Sequence, residues 1–421
     1  MPNPAARVKS ILGLTFFALS LFLALPTESF AGDWPQILGA QRNGHASGET
    51  LAANWNEAKP TKAWSHAVGE GYAGSAIANG NVFVFHRRGN NEQLDCLNSS
   101  DGKVKWTTSW PSAYRGGINP DSGPRCVPIV ANDRVYVFGA AGNLHCASVA
   151  DGNKIWSRKL GKEYEALDGY FGFGSTPIII NDRIMANVGG KNGAGIVGLD
   201  LASGTTKWKA FDDAASYASP IEWKVNGDSI AIFITRYNLL GIQPSDGKVL
   251  FKTPFGARGA TVNAATPIPL DESHLFITAS YGIGAKLVSI EDMNPKVVWE
   301  NDDSLSSQYP TPVLANGHLF GIHGREDGAA AALRCVKPQT GKVEWEQPDI
   351  GMAHIIAADG KLLVQTVEGE LLLVAVDTQK YLELGSVRLS KATTRALPAF
   401  SNGLLVVRDT AGSLTAWSIP K

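Results

Sequence analysis

The hexapeptides Asp101-Gly-Lys-Val-Lys-Trp106 and Asp151-Gly-Asn-Lys-Ile-Trp156 each place a turn glycine four residues before a tryptophan. The same spacing from glycine to aromatic recurs in three later pairs: Gly204 and Trp208, Gly247 and Phe251, and Gly341 and Trp345. An Asp-Gly pair between apolar runs is a strong signal for a tight turn between antiparallel strands. The repeated pattern therefore predicts a series of β-hairpins.

A second kind of turn signal occurs eight times along the chain and divides it into eight units. These turns are Asn79-Gly80, Asn132-Asp133, Asn181-Asp182, Gly227-Asp228, Asp271-Glu272, Asn316-Gly317, Asp359-Gly360 and Asn402-Gly403. Each unit is interpreted as a four-stranded antiparallel meander with strands a, b, c and d. Units of roughly 40–50 residues with four strands are typical of propeller blades. The predicted fold is an all-β, eight-bladed β-propeller.

The last unit predicts how the ring closes. After the strand 413–419 the chain ends without a fourth strand, whereas Lys62-Ala63-Trp64-Ser65 has the character of a d strand that lacks its a, b and c partners. Pairing this segment with the C-terminal strand would complete blade eight and would leave no open sheet edge. We therefore assign residues 32–59 to a lead-in segment and residues 60–421 to the propeller domain.

The N-terminus predicts export. Arg7 and Lys9 precede an apolar run over 11–25, which is too short to span a bilayer, and Ser29-Phe30-Ala31 offers a cleavage site. Residues 1–31 are therefore predicted to be a signal peptide, with cleavage near Ala31 and no cysteine there to carry a lipid anchor. We expect a soluble periplasmic or secreted protein without a transmembrane segment in the mature chain.

The charge balance excludes some classes of partner. The chain has 38 basic and 39 acidic residues and a net charge of −1. Nucleic-acid binding requires a basic surface, so no nucleic-acid partner is expected. The histidines show no metal-binding spacing, and we predict no metal site, no catalytic residue and a monomer.

The four cysteines are predicted to be free thiols. Cys96, Cys146 and Cys335 stand at the same repeat position, which glycine occupies in two other blades. Residues at one depth in different blades are too far apart for a disulfide. Cys126 lies on an a strand, and strand b separates it from Cys146. We expect four buried thiols.

The hexapeptides quoted above, together with the lead-in residues Asp33-Trp34-Pro35-Gln36 and Arg42-Asn43-Gly44, resemble the pyrroloquinoline-quinone-like (PQQ-like) repeat propellers. The resemblance implies either of two functions. One is a quinone-dependent dehydrogenase that holds PQQ with calcium, but this chain has no Cys-Cys pair and no mappable calcium ligands. The other is a non-catalytic propeller, similar to the lipoprotein of the outer-membrane barrel-assembly machinery. We favour a scaffold without a cofactor that binds a protein partner in the cell envelope.

Topology predicts where a ligand would bind. In such a meander the d–a connections and b–c tips emerge on one face, and the a–b and c–d turns emerge on the other. The first face receives His86, Arg87, Arg88, Arg236, Tyr237, Tyr281, His323 and Arg325 from the tips, and Tyr72, Arg115, Arg125, Tyr170, Phe171, Arg258, Tyr309, His354 and Arg395 from the connections.

Any one of these residues is more simply explained as an exposed loop side chain, but as a group they suggest a binding surface. Four of them, Arg115, Arg125, Arg258 and Arg395, are expected near the axis, where they would repel one another. They would therefore require a bound anion or a partner's carboxylates. An anionic small molecule at the channel mouth remains an alternative to a protein.

Overall fold

The computed structural model describes Met1 and residues 32–328 and 331–421. Except for Met1, the predicted signal peptide lies outside the described residues. Residues 32–421 belong to one unit built almost entirely of strands, with one short helix, α1 (Leu160–Glu163). Within the described ranges, no helix has the length and apolar character needed to cross a membrane.

The described strands form eight antiparallel sheets of four strands each. In chain order they are β1 (Thr61–Ala67), β2 (Ser75–Ala78), β3 (Asn81–Arg88), β4 (Asn91–Asn98), β5 (Val104–Pro111), β6 (Ile129–Ala131), β7 (Arg134–Phe138), β8 (Asn143–Ser148), β9 (Lys154–Lys159), β10 (Ile178–Ile180), β11 (Arg183–Asn187), β12 (Ile196–Asp200), β13 (Thr206–Ala210), β14 (Ile221–Val225), β15 (Asp228–Ile234), β16 (Asn238–Ile242), β17 (Val249–Pro254), β18 (Ile268–Pro269), β19 (His274–Ala279), β20 (Gly284–Glu291), β21 (Asn294–Asn301), β22 (Val313–Ala315), β23 (His318–His323), β24 (Ala332–Lys337), β25 (Lys342–Gln347), β26 (Ala353–Ala358), β27 (Lys361–Thr366), β28 (Glu370–Ala375), β29 (Glu383–Arg388), β30 (Ala399–Ser401), β31 (Leu404–Arg408) and β32 (Ser413–Ser418).

Blades one to seven each take four consecutive strands, from β2–β5 to β26–β29, and blade eight contains β30, β31, β32 and β1. Strand β1 pairs antiparallel with β32, so that Thr61 lies opposite Ser418 and Ala67 lies opposite Ser413. Both the eight-bladed propeller and its closure by the N-terminal strand are confirmed.

Six of the eight described a–b turns have a positive φ at both central residues. In blade one, Asn79 and Gly80 have φ values of 51° and 70°, as required at both central positions of a type I′ hairpin turn. In blade four the positive φ values fall on Asn226 and Gly227, so the turn lies one residue earlier than the predicted Gly227-Asp228.

The spacing from glycine to tryptophan has a physical cause in the packing between blades. The Trp106 indole of blade one donates a 2.9 Å hydrogen bond to the Val149 carbonyl of blade two. A Cβ added to Gly152, which has a φ of 72°, would lie 2.5 Å from the Trp106 ring. Trp64 makes the same contact across the ring closure, with a 2.7 Å bond to the Ser99 carbonyl. The turn glycine is therefore required by its φ and by the tryptophan of the preceding blade.

The cysteine prediction is also confirmed. All four thiols are free and buried. Cys96 lies opposite Trp106 across strands c and d, and Cys146 lies opposite Trp156 in the same register. Burial raises the pKa of both thiols to about 11, so they stay protonated at neutral pH.

Blade seven lacks the d-strand aromatic, and the lead-in segment supplies one. Gly385 of β29 lies opposite Leu373 in the register that tryptophan occupies elsewhere. Trp55 is only 1% exposed, and its backbone N–H donates a 2.9 Å bond to the Leu384 carbonyl. A Cβ on Gly385 would lie 2.7 Å from the Trp55 Cβ. The lead-in is therefore part of the core between blades seven and eight.

Replacing Trp55 with alanine is expected to lower the free energy of unfolding by about 3–5 kcal/mol, because it empties a closed apolar site. Denaturant titration measures the loss. Trp55→Phe is the matched control: the Trp55 indole N–H has no hydrogen-bond partner within the described residues, so phenylalanine should retain most of the stability. A Trp55→Ala protein that unfolds at the parent's midpoint would show that the lead-in is not packed in solution.

Candidate functional site

The lead-in segment covers one end of the central channel. Residues 34–46 run past the ends of the a strands that lie nearest the a–b turns. The backbone of Trp34 exchanges two 2.8 Å hydrogen bonds with Ile77 of β2. The remaining contacts are Val130 N–H to Pro35 O at 2.8 Å, Ala46 N–H to Ala357 O at 2.9 Å, and His45 Nε2 to Leu314 O at 2.8 Å. Blades one, two, six and seven are thus tied together at this end.

Arg42 extends from the lead-in into the channel. It is 4% exposed, and its guanidinium donates to the carbonyls of Pro220 at 2.9 Å and Thr176 at 3.3 Å, and also to that of Pro177. Its Nε donates to the Gln36 side chain at 2.8 Å. Burial lowers the pKa of Arg42 to about 9. The Arg42 side chain occupies the channel at this end, beside a cavity of about 580 Å³. The opposite face bears the d–a connections and b–c tips. We call it the open face.

Two of the predicted arginines meet on the open face. The guanidinium carbons of Arg125 and Arg395 lie 5.4 and 5.9 Å from the centroid of the Tyr72 ring, and we call these three residues the Tyr72 cluster. Each has a carboxylate partner in the chain: Asp121 lies 2.9 Å from Arg125, and Glu326 lies 2.6 Å from Arg395. The expectation of uncompensated arginines is therefore wrong for these two, because Asp121 in the same loop as Arg125 and Glu326 in a loop near Arg395 already supply the opposite charges.

The other two arginines stay apart from this cluster. Arg115 is exposed and donates to the carbonyls of Ser112 at 3.2 Å and Tyr114 at 3.1 Å in its own loop. Arg258 is exposed in the connection from β17 to β18, and its side chain has no ion pair or hydrogen bond to any described residue. The predicted group of four is thus one pair on Tyr72 and two separate side chains.

Three predicted site residues are buried instead of lying on loops. His86 belongs to β3 and is fully buried, with its Nε2 2.9 Å from Asp95. Arg87 is buried beside it and donates to the Tyr114 and Ser122 carbonyls. His354 lies inside β26, bonded to the Arg395 carbonyl at 2.9 Å. Their strands extend further toward the open face than the sequence indicated. The three side chains therefore hold loops in place and do not lie on the loops themselves.

Among the remaining predicted residues, Arg88 and His323 are the last residues of β3 and β23, and the others lie in connecting loops: Tyr72, Tyr170, Phe171, Arg236, Tyr237, Tyr281, Tyr309 and Arg325. Arg325 stacks on Tyr281 at 4.4 Å and pairs with Asp327 at 2.6 Å. Other contacts are Arg236 with Tyr237 at 5.1 Å and Tyr309 with His354 at 5.8 Å, while Tyr170 is 36% exposed. Aromatic rings paired with guanidinium groups therefore recur around this face.

Sequence reasoning missed the buried carboxylates. Burial alone would raise the pKa of Asp95, yet hydrogen bonds from His86, Thr107 and Gln93 hold it well below its usual range. Glu92 is fully buried, and burial raises its pKa to about 7. Neither residue has a distinguishing motif. By contrast, Asp121 stands four residues before Arg125 in one loop, a spacing that could have indicated the ion pair.

A calcium ion that holds PQQ on the open face would need oxygen ligands from the protein. The described residues bring together no group of three histidine, cysteine, aspartate or glutamate side chains that could hold a metal ion. Asp121 and Glu326, beside the Tyr72 cluster, are already paired with arginine. Both carboxylates therefore have partners within the chain.

A family model described as "Outer membrane protein assembly factor BamB" matches residues 44–168 and 90–347. BamB of Escherichia coli K12 is 22% identical over 383 residues, which cover 75% of this chain and 88% of that protein. BamB of Yersinia pestis is 27% identical over 153 residues, or 35% of each chain.

Solved structures share the fold at low identity. BamB from Moraxella catarrhalis matches with a TM-score of 0.61 and 14% identity, over 86% of this chain and 98% of that one. A europium-containing methanol dehydrogenase matches with a TM-score of 0.67 and 11% identity, over 89% of each chain. The family match spans more than half of the sequence, and the chain belongs to the PQQ-like propeller family of outer membrane protein assembly factor BamB.

Proposed function

We propose that this protein is an exported, non-catalytic β-propeller that binds a protein partner of the cell envelope through its open face. One observation carries the proposal: the chain's own lead-in and Arg42 occupy the other end of the channel, whereas the open face presents the Tyr72 cluster to solvent. The relatives are outer membrane protein assembly factors, which supports a role in the envelope. The predicted signal peptide agrees with it.

The Tyr72 cluster is suited to a protein surface of mixed charge. The side chains of Arg395 and Glu326 are 36% and 33% exposed, so a partner can reach both. An ion pair at this exposure contributes little to stability, and its members can exchange partners at low cost. The planar guanidinium groups on Tyr72 keep N–H edges in a fixed orientation, which favours bidentate contact with a carboxylate. The cluster therefore offers an arginine donor beside a carboxylate acceptor.

The second candidate function is a quinoprotein oxidoreductase, or a binder of another anionic small molecule at the channel mouth. Its support is the likeness in fold to the methanol dehydrogenase. Mixing the mature protein with PQQ and calcium tests it: bound chromophore together with reduction of an electron-accepting dye would favour this candidate over the scaffold.

The double variant Arg258→Ala/Arg395→Ala is expected to reduce capture of the envelope partner by about tenfold or more, because it removes an exposed guanidinium and half of the Tyr72 pair. Its melting temperature should stay close to the parent's, since exposed charges contribute little to stability. Quantitative co-purification of the crosslinked partner from the envelope fraction measures the effect.

The matched control is Lys103→Ala/Lys248→Ala, which removes two exposed basic residues from the c–d turns of the opposite face. It should leave capture unchanged. If the control abolishes capture while the Arg258→Ala/Arg395→Ala protein binds normally, the partner engages the opposite face and the proposal is wrong.

A further inference from the structure

A cavity of about 220 Å³ opens on the open face between blades three and four. It lies between the loop 167–174 and the segments 214–217 and 261–263. Tyr170, Phe173 and Tyr217 form much of its wall. The Tyr217 hydroxyl accepts 2.9 Å hydrogen bonds from the backbone N–H groups of Tyr170 and Phe171. This aromatic wall is therefore fixed before any ligand binds.

Two buried amide oxygens at this cavity have no hydrogen-bond donor. Asn187 and Asn263 line it and are each 1% exposed. Their amide N–H groups are used: Asn187 donates to the Ile234 carbonyl at 3.0 Å, and Asn263 donates to the Thr235 carbonyl at 3.0 Å. Both Oδ1 atoms lack a partner among the described residues. Buried acceptors that lack a donor are unfavourable, so this site favours a ligand that brings N–H groups.

Arg236 restricts the charge of that ligand. It lines the same cavity, and its guanidinium is held by Thr261 Oγ1 and the Gly259 carbonyl, both at 2.9 Å. The other charged lining residue, Asp168, is exposed to solvent, so a cation beside Arg236 would still be repelled, which disfavours lysine and arginine side chains. The walls suit an aromatic body, and the two oxygens suit an uncharged N–H. The tryptophan side chain combines both properties.

The surface beside the cavity indicates that the ligand is part of a protein. Leu167 at the rim is 84% exposed, and the neighbouring Ile118 is 71% exposed. The Ile118 N–H donates to the Tyr170 carbonyl at 3.2 Å, which joins the two loops into one apolar patch. A small molecule in the cavity would leave Ile118 and Leu167 in water, whereas an extended segment would cover them.

We infer that this cavity binds a tryptophan side chain of the protein partner, with the indole N–H directed to one of the Asn187 and Asn263 oxygens and flanking residues packed on Leu167 and Ile118. The inference rests on the proposed function, because it names the part of the partner that the open face receives.

The probes are N-acetyl-tryptophanamide and its analogue methylated on the indole nitrogen, which keeps the shape and removes the donor. Ligand-observed NMR with the full mature protein measures both. We expect saturable, millimolar binding of the first probe and at least fivefold weaker binding of the methylated one. Ala214→Phe, a change at an exposed lining residue, should abolish binding by filling the cavity mouth. Ala202→Phe, on the opposite face, is the matched control and should bind as the parent does.

Equal binding of the two probes, no saturable binding to the parent, or unchanged binding to the Ala214→Phe protein would overturn the inference. Partner capture separates its failure from that of the proposed function. If the partner binds the parent and the Ala214→Phe protein alike, the open face can still be the interface but this cavity is not part of it. If the probe binds as expected while variants of the open face capture the partner normally, the cavity stands and the proposed function fails.

Discussion

Deleting residues 32–67 is expected to abolish cooperative folding. The deletion removes β1, whose pairing with β32 closes blade eight, and it removes the buried indoles of Trp34, Trp55 and Trp64. Loss of each such side chain costs about 3–5 kcal/mol, and three together equal or exceed most of a domain's total stability of about 5–15 kcal/mol. The exposed edge of β32 would also promote aggregation. Thermal unfolding by circular dichroism and size-exclusion chromatography measure the outcome.

A circular permutant distinguishes the closing strand from the lead-in. Thr61 lies opposite Ser418, so a short glycine–serine linker can join residues 68–421 directly to residues 60–67. This protein regains blade eight but lacks the lead-in, and we expect it to fold with a lower melting temperature than the parent. A deletion protein that melts like the parent would contradict the assigned closure.

Stability is expected to fall by several kcal/mol between pH 7 and pH 4.5 because of buried histidines. Burial lowers the pKa of His145 to about 3 and that of His354 to about 4. Below pH 6.5 the unfolded chain takes up protons on these residues while the folded chain does not, so acid favours unfolding. Each unit of pKa difference corresponds to about 1.4 kcal/mol. The loss therefore begins near pH 6.5 and ends near pH 4 for His354 and near pH 3 for His145.

Urea titrations of the parent and of His145→Phe at several pH values isolate the contribution of His145 to the pH dependence of stability. Phenylalanine retains the 4.5 Å stack on Trp110 and cannot take up a proton. Its stability should decline less steeply with acid than the parent's. Glu92 has the opposite effect on stability, because burial raises its pKa to about 7 and acid therefore favours the folded state. Both proteins contain Glu92, so its effect cancels in the comparison. His318→Gln, beside an a–b turn, is the control. Equal slopes for the parent and His145→Phe would exclude His145 as a cause.

The fold could be predicted from sequence because local chemistry and global packing specify the same positions. Gly152 is needed for a positive φ and also because Trp106 of the preceding blade lies against it. Such double constraints leave few alternatives, and they repeat from blade to blade. The role of Trp55 could not be predicted, since it fills a vacancy at Gly385 that lies far away in sequence. Only the closed ring brings the two together.

The face of the propeller that carries the candidate site could be predicted from the sequence, but the pairing of its charged residues could not. The loops that carry Arg125 and Arg395 were placed on the right face because meander connectivity determines it. Their partners were missed, since Glu326 belongs to a different blade from Arg395 and no local spacing links them. The end of β3 was also missed, because the strand runs to Arg88 and His86 and Arg87 are buried within it instead of lying on a tip.

For an exported chain, as proposed above, the pairing of β1 with β32 also sets an order of events. A chain that crosses a membrane from its N-terminus delivers β1 first and β32 almost last, so the two meet only after nearly all of the intervening sequence has emerged. Contacts between such distant segments form late, because the intervening loop must first be ordered. The ring of such a chain therefore stays open during translocation and closes when β32 pairs with β1. In chains stalled before β32, pulse proteolysis should cleave blade eight. The same chains should become resistant once that strand is released.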